Sequence, residues 1–308
     1  MAHAYKTRLV VFACAAALQI GVGADSIAAE SKKLRVISEN TVSGFAFPES
    51  VAYDPSAKVL YMSQFGGREL KPAEKDGNGK ISKLSLDGKV LEDRFLPPAG
   101  ETMNKPKGIW VKGNRLWVTD IDVVWVFDLK TRKGKKLAIP GITFANDPAV
   151  VGNSLYVSDN RADRLYRVEP ADFLNAKDAP QVSVVLAGKG INPNGLYPGR
   201  RGSLLLVGFM SAKEPRGIYL LEKSGELKEM AKAVGRVDGV YQMQDGSILA
   251  TDWDSGSLFH WTEKSGVEKL VSGFKGPADF AVAPGKHGLT VFVPDLPGSQ
   301  LRIVRLGK

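Results

Sequence analysis

Cysteine is almost missing from this chain of 308 residues: Cys14 is the single one, and it lies in an N-terminal stretch expected to be removed. The mature chain would then hold no thiol, which excludes disulfides, thiolate metal sites and cysteine nucleophiles. Histidine is scarce as well. Past the N-terminal stretch there are only His260, beside Trp261 in a predicted strand, and His287, in a predicted turn. A Ser-His-Asp triad has little to draw on. No Gly-Lys-Ser/Thr loop for cradling phosphate occurs, and Asp76-Gly77-Asn78-Gly79-Lys80-Ile81 starts like a calcium loop but loses the pattern at Lys80 and Ile81, so it reads as a hairpin tip. No Lys/Arg run is interleaved with aromatics, which argues against a nucleic-acid partner. Helical periodicity is nearly absent too.

One extended apolar run is present, Leu9 to Ala24, preceded by Lys6 and Arg8. Val22-Gly23-Ala24 offers the small residues that signal peptidase cuts after, and Ile27-Ala28-Ala29 is a second site of the same kind. The expectation is a signal peptide over 1–24, one domain over 25–308, and a secreted or periplasmic protein. The run is short and Ala-rich for a membrane anchor and no second span follows, so no membrane attachment is expected after cleavage. The chain carries 42 basic and 33 acidic residues, a net charge of +9, and a cut after Ala24 removes only Lys6 and Arg8. That scattered excess favours anionic substrates over a defined polyanion site.

What the chain has in abundance is a repeat. Phe47-Pro48-Glu49-Ser50 returns as Lys105-Pro106-Lys107-Gly108, Phe144-Ala145-Asn146-Asp147, Asn192-Pro193-Asn194-Gly195, Arg236-Val237-Asp238-Gly239 and Gly276-Pro277-Ala278-Asp279. The spacing averages roughly 46 residues, a propeller-like period. Within each unit the opening leads into an apolar strand, a tight turn, a second strand ending in Ser or Asp, and an alternating third strand. The third unit runs through Gly152-Asn153 to Ser154–Asp159 and Arg164–Val168; the second runs through Gly113-Asn114 to Arg115–Asp120 and Val124–Asp128. Gly-Asn and Asp-Gly are hairpin residues because the turn needs positive φ.

Short antiparallel sheets at this period close radially and so protect their strand edges. The predicted fold is therefore all-β, a six-bladed β-propeller of four-stranded antiparallel blades. The chain stops before the sixth unit is complete, and the strand at Leu34 to Ser38 is expected to close the ring there. Insertions at Phe65 to Lys80 and Gly208 to Gly217 fall between the second and third strands of their blades, where they either overhang a site or are solvated loops.

The innermost strands of a propeller border its channel, so equivalent positions converge. Glu49, Asn146, Asn194 and Asp238 supply two carboxylates and two amide carbonyls, with Lys107 and Ala278 at the remaining places. Hard oxygen ligands suit a divalent cation, calcium first, with magnesium or manganese served by the same atoms. The five tryptophans fall at strand positions suited to inter-blade packing; Trp253, between Asp252 and Asp254, is the best placed to face a ligand.

On these motifs, Pro48-Glu49-Ser50, Asn146-Asp147, Pro193-Asn194-Gly195 and Val237-Asp238-Gly239, the chain resembles the senescence-marker/gluconolactonase/luciferin-regenerating-enzyme-like six-bladed propellers. The resemblance covers nearly the whole mature chain. It implies that Glu49, Asn146, Asn194 and Asp238 surround a divalent cation, usually calcium. Ser50 stands where that family has Gly, and Val237 where it has Pro. Lys107 is the larger departure: its ammonium would repel a dication, replace it by pairing with Glu49 and Asp238, or point outward to an anionic substrate.

With a metal present, a lactone or ester carbonyl would be polarised and a carboxylate would activate water. Asp238 is the candidate base, Asp147 its alternate, and Lys107 the group that steadies the oxyanion. Two rivals share the architecture: a non-catalytic propeller that binds a ligand or protein partner, and a strictosidine-synthase-like enzyme using a channel carboxylate without metal.

Overall fold

The computed structural model describes Met1, residues 33–285 and residues 288–307; the expected signal peptide and His287 lie outside them. Six four-stranded antiparallel sheets are arranged as the repeat predicts. The first blade comprises β2 (Pro48–Asp54), β3 (Val59–Gln64), β4 (Lys80–Leu84) and β5 (Val90–Leu96), and the second β6 (Pro106–Lys112), β7 (Arg115–Asp120), β8 (Val123–Asp128) and β9 (Gly134–Ala138). The third holds β10 (Ala145–Val151), β11 (Ser154–Asp159), β12 (Arg164–Glu169) and β13 (Gln181–Ala187), and the fourth β14 (Pro193–Pro198), β15 (Leu204–Gly208), β16 (Arg216–Leu221) and β17 (Leu227–Gly235). β18 (Val237–Gln242), β19 (Ile248–Asp252), β20 (Ser257–Thr262) and β21 (Gly266–Val271) form the fifth. A single short 3₁₀ turn, Arg200–Gly202, is the one helical element among the described residues.

The sixth blade joins the two ends of the domain. β22 (Ala281–Gly285), β23 (Gly288–Asp295) and β24 (Gln300–Gly307) are completed on the outside by β1 (Arg35–Ser43), which pairs with β24 from Arg35 opposite Gly307 to Ser43 opposite Gln300. Arg302 Nε donates to Glu39 across that seam at 2.7 Å. Apolar side chains from the facing sheets fill the space between blades, as with Trp117, Val126 and Val157 between the second and third.

What positions the site is a bulge repeated at the same place in five blades. Pro48 faces Gln64 but Val51 faces Met62, so Glu49 and Ser50 together oppose Ser63. Lys107-Gly108 oppose Thr119, Asn146-Asp147 oppose Ser158, Asn194-Gly195 oppose Val207, and Asp238-Gly239 oppose Thr251 in the same way. A bulge leaves one residue without a ladder partner and re-aims its side chain. The opposed hydroxyl recovers the lost hydrogen bonds: Ser50, Asp147 and Gly239 each donate their backbone N–H to it, at 2.9, 2.9 and 2.8 Å. In the second, third and fifth blades it also ties the sheet to the next, because Thr119, Ser158 and Thr251 donate to the carbonyls of Asn146, Asn194 and Ala278.

The residue that ends the second strand holds the segment leading into each bulge. Asp120 accepts from the backbone of Asn104 and Lys105 at 2.8 Å each, Asp159 from Thr143 at 2.6 Å, Asp252 from Arg236 at 2.9 Å and Asp295 from Gly276 at 2.9 Å. Gln64 does the same for Ala46 at 2.8 Å. In the fourth blade, where β15 ends in Gly208, Asp163 takes over and accepts from Asn192 at 2.7 Å.

Two glycines make the ring close. A Cβ on Gly108 would lie 2.1 Å from Asp147 Oδ1, and one on Gly195 would lie 2.0 Å from the carbonyl oxygen of Asp238. Gly195→Ala must push two blades apart, so the expected cost is about 2–3 kcal/mol of stability, read as a lowered urea midpoint with an unchanged slope. An alanine variant as stable as the parent would mean that the blades do not approach so closely.

Candidate metal centre and active site

The five bulges bring Glu49, Lys107, Asn146, Asn194 and Asp238 to one cavity of about 460 Å³ at one mouth of the channel. All five are buried. Ala278 completes the ring without a polar group. Both insertions overhang this mouth: Leu70 and Pro72 reach it from the β3–β4 connection, and Met210, beside Phe209, from the β15–β16 connection. The first is pinned by Lys105, which donates to Asp76 at 2.5 Å and to the Phe65 carbonyl at 3.2 Å. The calcium-loop-like Asp76–Gly79 stretch thus anchors the overhanging insertion to the opening of the second blade, behind the cavity wall. Trp253 lines the cavity, as its position between two aspartates suggested.

Asp147 is placed elsewhere. As the second residue of its bulge it turns toward the other end of the channel, and its carboxylate accepts from the Leu196 backbone at 2.6 Å. The alternate base of the sequence reading therefore does not share a cavity with Asp238. One acidic residue escaped that reading altogether. Asp279 sits beside Ala278 in the sixth copy of the opening and accepts from the Ser50 hydroxyl at 2.5 Å. Aligning the copies on their first bulge position hid it; the second position carries Asp147 and Asp279.

Charge in this channel is unbalanced. Burial raises the Glu49 pKa well above the usual range, and the nearby Asp238 and Asp279 raise it further against the opposing pull of Lys107. Asp238 is raised by burial and by Asp279, with Arg236 and Asn194 opposing. Asp147 is raised by burial and then by Asp279. Burial pushes Asp279 up to about 7. Lys107 is pushed down to about 8, first by burial and then, against Glu49 and Asp120, by the nearby Arg161 and Lys105.

Lys107 does not plug the ring. Its ammonium donates to the Lys105 carbonyl at 3.3 Å and lies 4.1 Å from the centre of the Phe144 ring, with Phe65 at 5.7 Å. Aromatic faces hold a cation without neutralising it. Arg161 stacks on the same Phe144 at 3.7 Å, and Arg236 lies 4.2 Å from the centre of Phe209. The mouth of the cavity therefore presents Lys107 and Arg161 on an aromatic face, with Arg236 shared between Phe209 and the Asp254 carboxylate at 3.3 Å, beside carboxylates that repel one another.

Those carboxylates suit a divalent cation. Glu49 Oε2 and both amide atoms of Asn194 are buried without a hydrogen-bond partner. The Asn194 amide lies near enough to Asp238 to oppose its protonation, yet completes no well-formed hydrogen bond. Buried polar atoms are rarely left so, and a cation bound by oxygen would satisfy the Glu49 and Asn194 oxygens together. With two amides in the donor set, no three acidic, His or Cys side chains form a metal cluster among the described residues. The residues that would hold the ion are Glu49, Asn146, Asn194 and Asp238.

The Asp279 shift has a sign that can be tested in chelator. The folded chain keeps a proton on Asp279 up to about 7, whereas the unfolded chain loses it near the ordinary carboxylate value of about 3.9. The folded state binds more protons in that window, so the Asp279 contribution to stability falls as pH rises from about 4 to 7 and is constant above, while Glu49, Asp147 and Asp238, also raised, add falls of the same sign. Asp279→Asn is expected to remove a fall of order 2–4 kcal/mol. An unaltered stability profile in the variant would place the titration elsewhere.

No protein-family model and no curated protein matches the chain. Among solved structures it is similar to a virginiamycin B lyase from Staphylococcus aureus, with a TM-score of 0.61 at 13% identity over 89% of this chain and 99% of that one. It is also similar to a proposed gluconolactonase, at 0.63 and 16% identity over 89% and 94% of the two chains. A protein of unknown function from Bacteroides thetaiotaomicron gives 0.59 and 14%, over 89% and 76%. At such identities the likeness is one of fold. The chain is thus a six-bladed β-propeller, and the site defines it further as one whose blade openings turn carboxylate, amide and ammonium groups onto a shared axial cavity.

Proposed function

We propose that this is an exported, divalent-cation-dependent hydrolase that opens a lactone or related ester, with calcium the expected ion. The observation that carries the reading is the convergence of Glu49, Asn146, Asn194 and Asp238, two of them with unpartnered buried polar atoms, beneath an unneutralised ammonium. When bound, the cation would supply the positive charge that polarises the substrate carbonyl.

The chain's own residues do the rest. Asp238, buried and raised in pKa, takes a proton from water at its free carboxylate oxygen. The water oxygen bonds to the carbonyl carbon, the acyl C–O bond breaks, and the alkoxide formed takes a proton to give a hydroxy acid. Lys107, held on the Phe144 face, directs its ammonium at the developing oxyanion. Phe65, Phe209 and Trp253 exclude water from the walls. Arg161 and Arg236 favour a substrate with a carboxylate or phosphate away from the reacting centre.

A pH-indicator screen of small lactones and esters in calcium is the test. Hydrolysis should appear in calcium, vanish in chelator, and show a several-fold higher KM for anionic substrates in Arg161→Ala with little change for neutral ones. A screen with no turnover, in protein shown to bind calcium, would favour a binding propeller instead.

A further inference from the structure

The channel has a second mouth. Further along the same inner strands is another cavity, of about 350 Å³, sharing no wall residue with the first. Trp110, Tyr197 and Tyr241 stand three residues past their respective ring positions in the second, fourth and fifth blades. In the third blade that place is taken by Ala149, small enough for Trp110 and Tyr197 to meet edge to face at 5.8 Å; Tyr197 and Tyr241 meet at 4.9 Å. The result is a continuous aromatic wall, and burial keeps both tyrosines neutral.

Only two charged residues line this cavity, Asp147 and Asp279. No lysine or arginine joins them, in a chain whose net charge is +9. Neither carboxylate is answered by a cationic side chain on the wall; Ser50 and the Leu196 N–H are their partners. Anions are repelled from such a place. A calcium ion would require six to eight oxygens, and here most of the wall is aliphatic or aromatic. Ring faces together with buried carboxylates are what a methylated or alkyl ammonium group selects, since the faces attract its charge and accept its apolar surface.

We propose that the second cavity binds a compact organic ammonium, its cationic head against Asp147 and Asp279 and its carbon groups on Trp110, Tyr197 and Tyr241. The site is independent of the lactonase reading and stands or falls separately from it.

Calorimetric titration of the protein at about pH 8, in calcium and again in chelator, compares choline with its neutral tert-butyl analogue, which has the same shape without charge. Choline should bind about 30-fold more tightly than the analogue, the factor expected for a desolvated cation on aromatic faces. Asp279→Asn and Trp110→Leu, on different walls, should each weaken choline by about tenfold or more, and Leu70→Ala, at the first mouth and uncharged, should leave it within about twofold. Equal binding of the analogue, no binding of choline, or a loss in Leu70→Ala but in neither wall variant would overturn the assignment. Thermal melts of the two wall variants separate a lost ligand from a lost fold, and either folded variant suffices for the comparison.

Discussion

Lys107→Met is expected to lower turnover of the proposed lactone substrate by about 10²–10³-fold, chiefly in kcat, the loss that follows when a positioned donor to an oxyanion is removed. Methionine is unbranched and close to lysine in length, and it loses only the charge held on the Phe144 and Phe65 faces, so the calcium-loaded variant should unfold within a few degrees of the parent. Removing one buried charge is costly where it leaves a partner uncompensated, and in the calcium-loaded protein the cation would balance Glu49. The ammonium has no catalytic reason to be buried in a binding propeller. A Met variant with unchanged kcat would place Lys107 outside the chemistry, and one that failed to fold even in calcium would make it a structural counter-charge to Glu49.

Glu49→Gln has the second large effect, and its sign differs with and without metal. In the parent, calcium at a hundred times its dissociation constant should add about 2.7 kcal/mol, or roughly 5–10 °C for a domain of this size. The glutamine variant should lose that rise. In chelator it should be at least as stable as the parent, because Glu49 is raised well above its usual pKa by burial and by Asp238, and a neutral amide avoids the cost of ionisation. A variant that is less stable than the parent in chelator, or that keeps the full calcium rise, would contradict this assignment of the ion's ligands.

The architecture was legible because a roughly 46-residue period and hairpin turns leave few alternatives. The predicted strands at Arg115–Asp120 and Ser154–Asp159 match β7 and β11, since both are buried between neighbouring sheets and read as apolar runs. The outermost strands were much less visible. β9 and β17, with sequences GKKLA and LKEMAKAVG, face solvent on the rim, and there charge replaces the alternation that marks a strand. The closing strand was located, but its extension to Ser43 depends on pairing with β24, which no local propensity encodes.

For the site, the first bulge position was readable from the repeat and the second was not. A bulge follows from register between two strands, and in the sequence Asn146 and Asp147 are simply adjacent. Folding sends them to opposite cavities. Asp279 was hidden for the same reason. Phe144 and Phe209, whose rings carry Lys107, Arg161 and Arg236, give no signal of that role in the sequence, because aromatic side chains in β-rich sequence are usually core residues.

In five blades the repeated bulge lifts one side chain out of the ladder and sets it on the same axial cavity, where burial raises the pKa of Glu49 and Asp238. The most direct test is a calcium titration by calorimetry of the parent and of a chain carrying both Glu49→Gln and Asp238→Asn. One calcium per parent chain, and none in the doubly substituted but folded chain, is the predicted result. Calcium heat that survives both substitutions, or its absence in the parent, would contradict the account.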